Sequence, residues 1–338
     1  MRVARLFFCT ATLFLLFGCF DYNELNMQEL VSGVGIDADG DGVSVIVQCA
    51  ATSGEESEKG AVYKASGKSF FDAVRNITGA SGKKLYWGHA RTVIIGSGAY
   101  GRIDEILDTV LRAQDVYLDI APVIAKNTSA EAVMSAETEN GRDASENIFN
   151  TFANEKNSRR WKSRRVWQIL REHEKNGVYI LPTVEVTGKK PTVSGGAVIR
   201  DGKVTGFLSG DEMLTFSLLT EKGAGGYLPP IELGEGQVSF EILANDVKKR
   251  YSENALKIEQ SCVLSPAEVR GDITEEQMQR MAKEKLEGDM RKLLDKIKAE
   301  NLGDILGIVS DKGKLPDALG AKADIRCDVR ISNILGGK

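Results

Sequence analysis

The 338-residue chain is 42% hydrophobic and 27% charged, and Asp+Glu outnumber Lys+Arg by 48 to 44. That balance excludes wholesale disorder and a polytopic membrane protein, and a net charge of -4 argues against a broadly basic nucleic-acid binder. Only two histidines are present, His89 and His173, so histidine-rich metal chemistry has little support.

The first residues differ from the rest. Arg2 and Arg5 precede an uncharged, mostly apolar run from Leu6 to Phe17. A bilayer span needs about 20 apolar residues, so this run suits a signal-peptide core better than a transmembrane helix. Leu16-Phe17-Gly18-Cys19 follows and resembles a bacterial lipobox. The expectation is cleavage between Gly18 and Cys19, with Cys19 carrying diacylglyceryl and N-acyl chains. Losing Arg2 and Arg5 leaves 42 basic against 48 acidic residues, a mature net charge of -6. Cys9 leaves with the signal. Cys49, Cys262 and Cys327 lie in strand-like apolar contexts without CxxC spacing, which reads as buried thiols; one disulfide stays open.

In chain order, Leu30–Asp37 and Val43–Ala51 read as strands joined by an Asp-Gly turn. Ser69–Gly79 reads as a helix with capping-box spacing at Ser69 and Asp72. A strand over Arg91–Gly96, a helix over Arg102–Ala113 and a strand over Val116–Ala125 follow. Helices are expected at Ala144–Phe152 and Val166–Glu174, then a strand at Val178–Thr187. Gly188-Lys189-Lys190-Pro191 is the best candidate linker. Beyond it come a hairpin of Val193–Arg200 and Lys203–Leu208, and a short helix over Asp211–Leu219. Gly223–Gly236 reads as a long glycine- and proline-rich loop. Val238–Leu243 and Ala255–Leu264 read as strands, Thr274–Lys298 as the longest helix, and Ala321–Ser332 as the closing strand. The expected class is α+β, with two to three consecutive domains and mostly antiparallel or mixed sheets with packed helices. The expected divisions are signal peptide 1–18, an N-terminal domain 19–127, a middle region 128–190 that packs with it or stands apart, and a C-terminal domain 191–338.

Four motifs invite chemistry. Asp37-x-Asp39-x-Asp41-Gly42 resembles the start of a calcium loop, but the position for a bidentate Glu is Gln48, so a hairpin turn is the better reading. Gly96-Ser97-Gly98-Ala99-Tyr100-Gly101 fits GxGxxG between a strand and a helix, with Asp115 or Asp119 near the ribose-binding distance. It does not open the mature chain, and the run of βα units a doubly wound sheet requires is not evident. Arg159-Arg160-Trp161-Lys162-Ser163-Arg164-Arg165 is a basic cluster, read as a solvated helix start or a contact for anionic lipid or acidic protein. His89 and His173 sit in no catalytic spacing. No catalytic residue, cofactor or metal is expected.

Several segments together resemble the Ger(x)C family, the lipoprotein C subunits of spore nutrient germinant receptors. They are Gly18-Cys19-Phe20-Asp21-Tyr22-Asn23-Glu24-Leu25, Val34-Gly35-Ile36-Asp37 and above all Ser81-Gly82-Lys83-Lys84-Leu85-Tyr86-Trp87-Gly88-His89-Ala90. Supporting segments are Ser69–Asn76, Leu181-Pro182, Gly195-Gly196-Ala197-Val198 and Ile305-Leu306-Gly307. Position 20 is Phe where family members usually carry Trp, and Gly307 to Lys322 is short and lacks Trp. The resemblance implies three consecutive α/β-type domains, no catalytic site, and assembly with membrane-embedded A and B subunits at the outer face of the inner spore membrane. Two other readings are a membrane-anchored nucleotide enzyme using Gly96–Gly101, and an extracytoplasmic solute-binding lipoprotein with two parallel-sheet lobes and a hinge.

Overall fold

The computed structural model describes residues 28–51, 60–112, 119–138, 143–252, 255–308 and 323–332. Among them, thirteen strands form a nine-stranded sheet and a four-stranded sheet. Strand β1 (Gln28–Asp39) pairs antiparallel with β2 (Gly42–Cys49), and β2 with β3 (Val62–Gly67). On its other side β1 runs parallel to β4 (Lys84–Tyr86) at its start and to β5 (Thr92–Ile95) further on. Strands β6 (Ala121–Ala125) and β7 (Val178–Thr187) continue the parallel block, and β8 (Lys190–Arg200) and β9 (Lys203–Leu208) close the sheet antiparallel. The sheet is mixed, with more parallel pairing at its centre than the hairpin-rich sequence suggests.

Both faces of this centre are covered, which is why β5 and β6 are buried throughout. One face carries α1 (Phe70–Ser81), α2 (Ile103–Arg112) and α5 (Val166–Asn176), through side chains such as Ile77, Ile106 and Ile169. The other carries α3 (Ala130–Met134) and α4 (Ala144–Thr151), through Val133 and Ile148. The glycines of β1 permit this second layer. A Cβ on Gly33 would lie 2.2 Å from Ser145 Oγ, and one on Gly35 would lie 2.5 Å from Met134 Sδ. Alternating Val34 and Ile36 fill the opposite face.

The four-stranded sheet runs β10 (Tyr227–Leu233), β11 (Gly236–Ser252), β12 (Ala255–Arg270), β13 (Ala323–Ile331). The last pair is parallel and the others antiparallel. Helix α7 (Glu275–Ala299) packs on one face. Thr274 and Gln277 make the expected reciprocal cap: Gln277 N–H donates to Thr274 Oγ1 at 3.3 Å, and Thr274 N–H to Gln277 Oε1 at 2.8 Å. Met281, Leu286, Met290, Leu293 and Ile297 form its buried stripe.

Helix α6 (Gly210–Thr220) joins the two sheets. Every residue from Met213 to Leu219 is buried, so the helix has no solvent face in its middle turns. One core therefore runs from Val178, Ile180 and Val198 of the large sheet through Phe216 to Phe240 and Met290 of the small one.

Several expectations change. The proposed linker at Gly188–Pro191 is a hairpin turn, with Thr187 opposite Lys190 and positive φ at Gly188 (54°) and Lys189 (73°). The expected division at 190/191 thus falls inside one sheet. The division at 127/128 separates β6 from α3, which packs on the same sheet. The loop expected over Gly223–Gly236 contains β10; Pro229 and Pro230 are tolerated because β10 is an edge strand with a register shift there. The strand expected over Val116–Ala125 is observed from Ala121, and residues 113–118 lie outside the described residues. Strands β3 and β4 and the five-residue α3 are elements that periodicity did not reveal. Cys49, Cys262 and Cys327 are buried free thiols, as read from their contexts.

Candidate functional site

The Ser81–Ala90 block forms the seat of the first described strand. Gly82 caps α1 in the left-handed conformation, and β4 then pairs Lys84, Leu85 and Tyr86 with Gln28, Glu29 and Leu30. Leu85 and Trp87 turn into the core, with the Trp87 ring 6.1 Å from Phe70. Lys84, Tyr86 and His89 remain exposed, and the Tyr86 and His89 rings lie 6.0 Å apart. Glu29, buried at the base, accepts from Lys83 Nζ at 2.8 Å and Tyr63 Oη at 3.2 Å. Gly18 and Cys19 lie outside the described residues. Nine chain steps separate Cys19 from Gln28, a reach of at most about 30 Å.

The Gly96 end of the glycine-rich turn is filled by the protein itself. A Cβ on Gly96 would lie 1.6 Å from Asp37 Oδ1. That carboxylate accepts from the backbone N–H groups of Ala130 (2.8 Å) and Glu131 (3.1 Å), at the start of α3. The position a pyrophosphate would take at the start of α2 is occupied as well. Ile103 N–H donates to the Gly202 carbonyl at 2.9 Å, and Asp104 and Glu105 stand in the first turn. A carbonyl and two acids repel an anion, so the geometry gives the nucleotide reading no site. Asp119 pairs with Arg165 at 3.4 Å instead of serving a ribose, and Asp115 lies outside the described residues.

The calcium reading fails for a related reason. Asp37 is committed to α3, while Asp39 and Gly42 close the β1–β2 hairpin. Among the described residues no group of His, Cys, Asp and Glu is arranged to hold a metal. His173 stacks edge-on against Tyr179 at 5.8 Å, with Nε2 3.9 Å from Asp104. Burial, reinforced by Asp104 at 2.6 Å, pushes the Tyr179 phenol far above its ordinary range. These groups knit α2 to β7, and His89 stands apart from them on the Ser81–Ala90 block.

The basic cluster also turns inward. Arg159 is buried, takes φ 54°, and donates through Nη2 to the carbonyls of Gly223 (2.9 Å) and Ala224 (3.0 Å). Arg160 pairs with Asp211, Arg164 with Glu172, and Lys162 with Glu155 and Glu221. Arg165 lies over the Phe149 ring at 4.7 Å. Trp161 is buried. The cluster is thus a bracket between α4, α5, α6 and the segment leading into β10, not a solvated helix start. Beside it, Trp167 and Leu170 of α5 stay 46% and 42% exposed.

Trp167 borders a cleft of about 550 Å³ between α5, the start of β7, α6, β11 and the 305–307 segment. Val178, Ile180, Phe216 and Leu306 supply apolar walls. Lys249 enters it from β11. Sequence reasoning passed over this residue although it left a signal. Asn245, Val247, Lys249 and Tyr251 alternate on the inward side of β11, and Lys249 is the charged member. The two sheets share a core across α6, which differs from the hinged, parallel-sheet lobes of the solute-binding reading.

The comparisons agree with this architecture. Residues 21–186 match the family model described as "Spore germination protein N-terminal domain". Residues 194–317 match "Spore germination B3/ GerAC like, C-terminal". A solved structure, "Crystal Structure of the GerBC protein", is similar with a TM-score of 0.56 and 16% identity, covering 93% of this chain and all of that one. At that identity the likeness concerns the fold. Comparison with curated proteins found no match.

Proposed function

The chain belongs to the Ger(x)C family of spore germination proteins, and from that premise we propose that it is the lipoprotein C subunit of a spore nutrient germinant receptor. Cleavage after Gly18 leaves Cys19 to carry the lipid. Two acyl chains give stable anchoring, at about 0.8 kcal/mol per buried CH₂. The body stands on the outer face of the inner spore membrane and assembles with the membrane-embedded A and B subunits. Anchoring raises its concentration beside them, so modest interfaces suffice. Its part is non-catalytic. Support comes from the folding of the candidate chemical motifs into the scaffold, above all Asp37 filling the space at Gly96 and the Gly202 carbonyl occupying the start of α2. Among the described residues no helix is long and apolar enough to cross a membrane.

The observation that carries the reading is the pair of family matches over 21–186 and 194–317, the first beginning two residues after Cys19. The test is nutrient-triggered germination, followed by loss of refractility, in spores lacking the chain and in spores carrying Cys19→Ala. Both should lose the nutrient response while a receptor-independent trigger still works. Cys19→Ala should also release the chain from spore membranes. A normal nutrient response in the deletion, with paralogous genes removed, would overturn the receptor assignment; membrane retention of Cys19→Ala would overturn the anchor.

A further inference from the structure

Among the described residues, the cleft between α5 and β11 is lined by more basic than acidic side chains. Lys162, Arg164, Arg171 and Lys249 line it against Glu172 and Glu221. Arg164 is spent on Glu172 at 2.7 Å, and Lys162 on Glu155 and Glu221. Among the described residues, Arg171 and Lys249 have no carboxylate within ion-pair distance. Lys249 Nζ donates to the Leu306 carbonyl, a neutral partner. Burial pushes this ammonium below the ordinary lysine range, with Asp304 opposing the shift through space. A desolvated cation with a neutral partner is stabilised by any anion that reaches it.

The rest of the cleft describes the anion. Trp167 and Arg171 lie four residues apart on α5, so they share a face. Trp167 presents a half-exposed aromatic surface at the mouth, and Val178, Ile180 and Phe216 form apolar walls behind it. The volume of about 550 Å³ falls within the range of small-molecule sites, roughly 300–1,000 Å³, and such sites favour junctions between structural units. We propose that this cleft binds a small organic anion: a carboxylate held between Lys249 and Arg171, with an apolar or aromatic body against Trp167 and the apolar walls. A bare inorganic anion would forgo the apolar contact, and an uncharged analogue would bring no charge to Lys249 and Arg171.

The test uses the full-length protein in detergent micelles and phenylacetate as the probe. Equilibrium binding of labelled phenylacetate should saturate, with a dissociation constant near or below about 1 mM, equivalent to about 4 kcal/mol. Phenylacetamide, which partitions into micelles without a charge, should not compete. Arg171→Gln, at an exposed position, should weaken binding several-fold. Lys249→Met should abolish it, with far-UV circular dichroism and melting temperature showing whether the fold persists. Trp167→Ala should weaken phenylacetate more than it weakens acetate. The proposal is overturned if binding stays linear to about 10 mM, a tenfold margin over that constant. It is equally overturned if phenylacetamide competes as well as phenylacetate, or if folded Arg171→Gln binds like the parent protein.

Discussion

The two sheets solve the burial problem differently. The large sheet hides both faces, so its central strands are short apolar runs and its helices are brief. Among the described residues, the small sheet hides one face under the 25-residue α7, with α6 at its junction with the large sheet, and shows charged residues on the other. Its last strand shows the consequence: Ile325, Cys327 and Val329 are buried while Asp324, Arg326, Asp328 and Arg330 are exposed. A one-sided sheet writes its register into the sequence as alternation; a two-sided one does not. The large sheet instead records its second layer in small residues, Gly33 and Gly35, where helices come close.

That contrast can be broken in four ways. The largest effect should come from Phe240→Ala, which empties the core shared by both sheets. Such truncations cost about 3–5 kcal/mol. Urea unfolding followed by circular dichroism and by tryptophan fluorescence should shift as one transition; two separated transitions would show that α6 does not couple the sheets. Next, Gly33→Ala should cost about 1–3 kcal/mol, because Ser145 lies within 2.4 Å of the added carbon and must move. The same change at exposed Gly79, in α1, meets nothing and should be neutral or slightly stabilising by helix propensity.

The third test uses pH. Burial pushes the Cys49, Cys262 and Cys327 thiols up to about 12 from an ordinary value of 9.0. Above pH 9 the unfolded chain releases these protons while the folded chain keeps them. Stability is therefore full below pH 9 and falls between pH 9 and about 12, by roughly 1.4 kcal/mol per pH unit per thiol at most. Replacing Cys49 with Ala should flatten that slope by one thiol in urea titrations at successive pH values; an unchanged slope would place the titration elsewhere. The smallest effect belongs to the open face of the small sheet. Arg326→Ala removes a surface pair with Asp324 and should change stability by about 0.5 kcal/mol or less. A larger loss would mean that this face is covered.

Much of the small sheet was legible because alternation and a three-to-four-residue stripe are local signals. The Thr274 cap, the α7 stripe and the alternation of β13 stand where the sequence places them, as does the β8–β9 hairpin of the large sheet. Strand β10 was hidden by Pro229 and Pro230, whose tolerance depends on an edge position no local pattern reveals. The candidate sites were harder. The glycine turn resembles a phosphate cradle, and only the approach of Asp37 from β1 to Gly96 and of the β8–β9 turn at Gly202 to the start of α2 shows both ends occupied. The basic cluster looked solvated until its acids, Glu172, Asp211 and Glu221, came from three other places in the chain.

By itself the sequence determined the apolar run Leu6–Phe17 with Cys19 beyond it, the acidic balance, the family block at Ser81–Ala90, and the elements with strong periodicity. These depend on residue type and near-neighbour spacing, which one dimension records in full. The tertiary structure decided the joining of two sheets through the buried middle of α6, the fate of the glycine and basic motifs, and the cleft that Lys249, Arg171 and Trp167 line together. Those outcomes depend on which groups arrive together in space. Desolvation and charge pairing act over a few ångströms, between residues that lie up to a hundred positions apart in the chain.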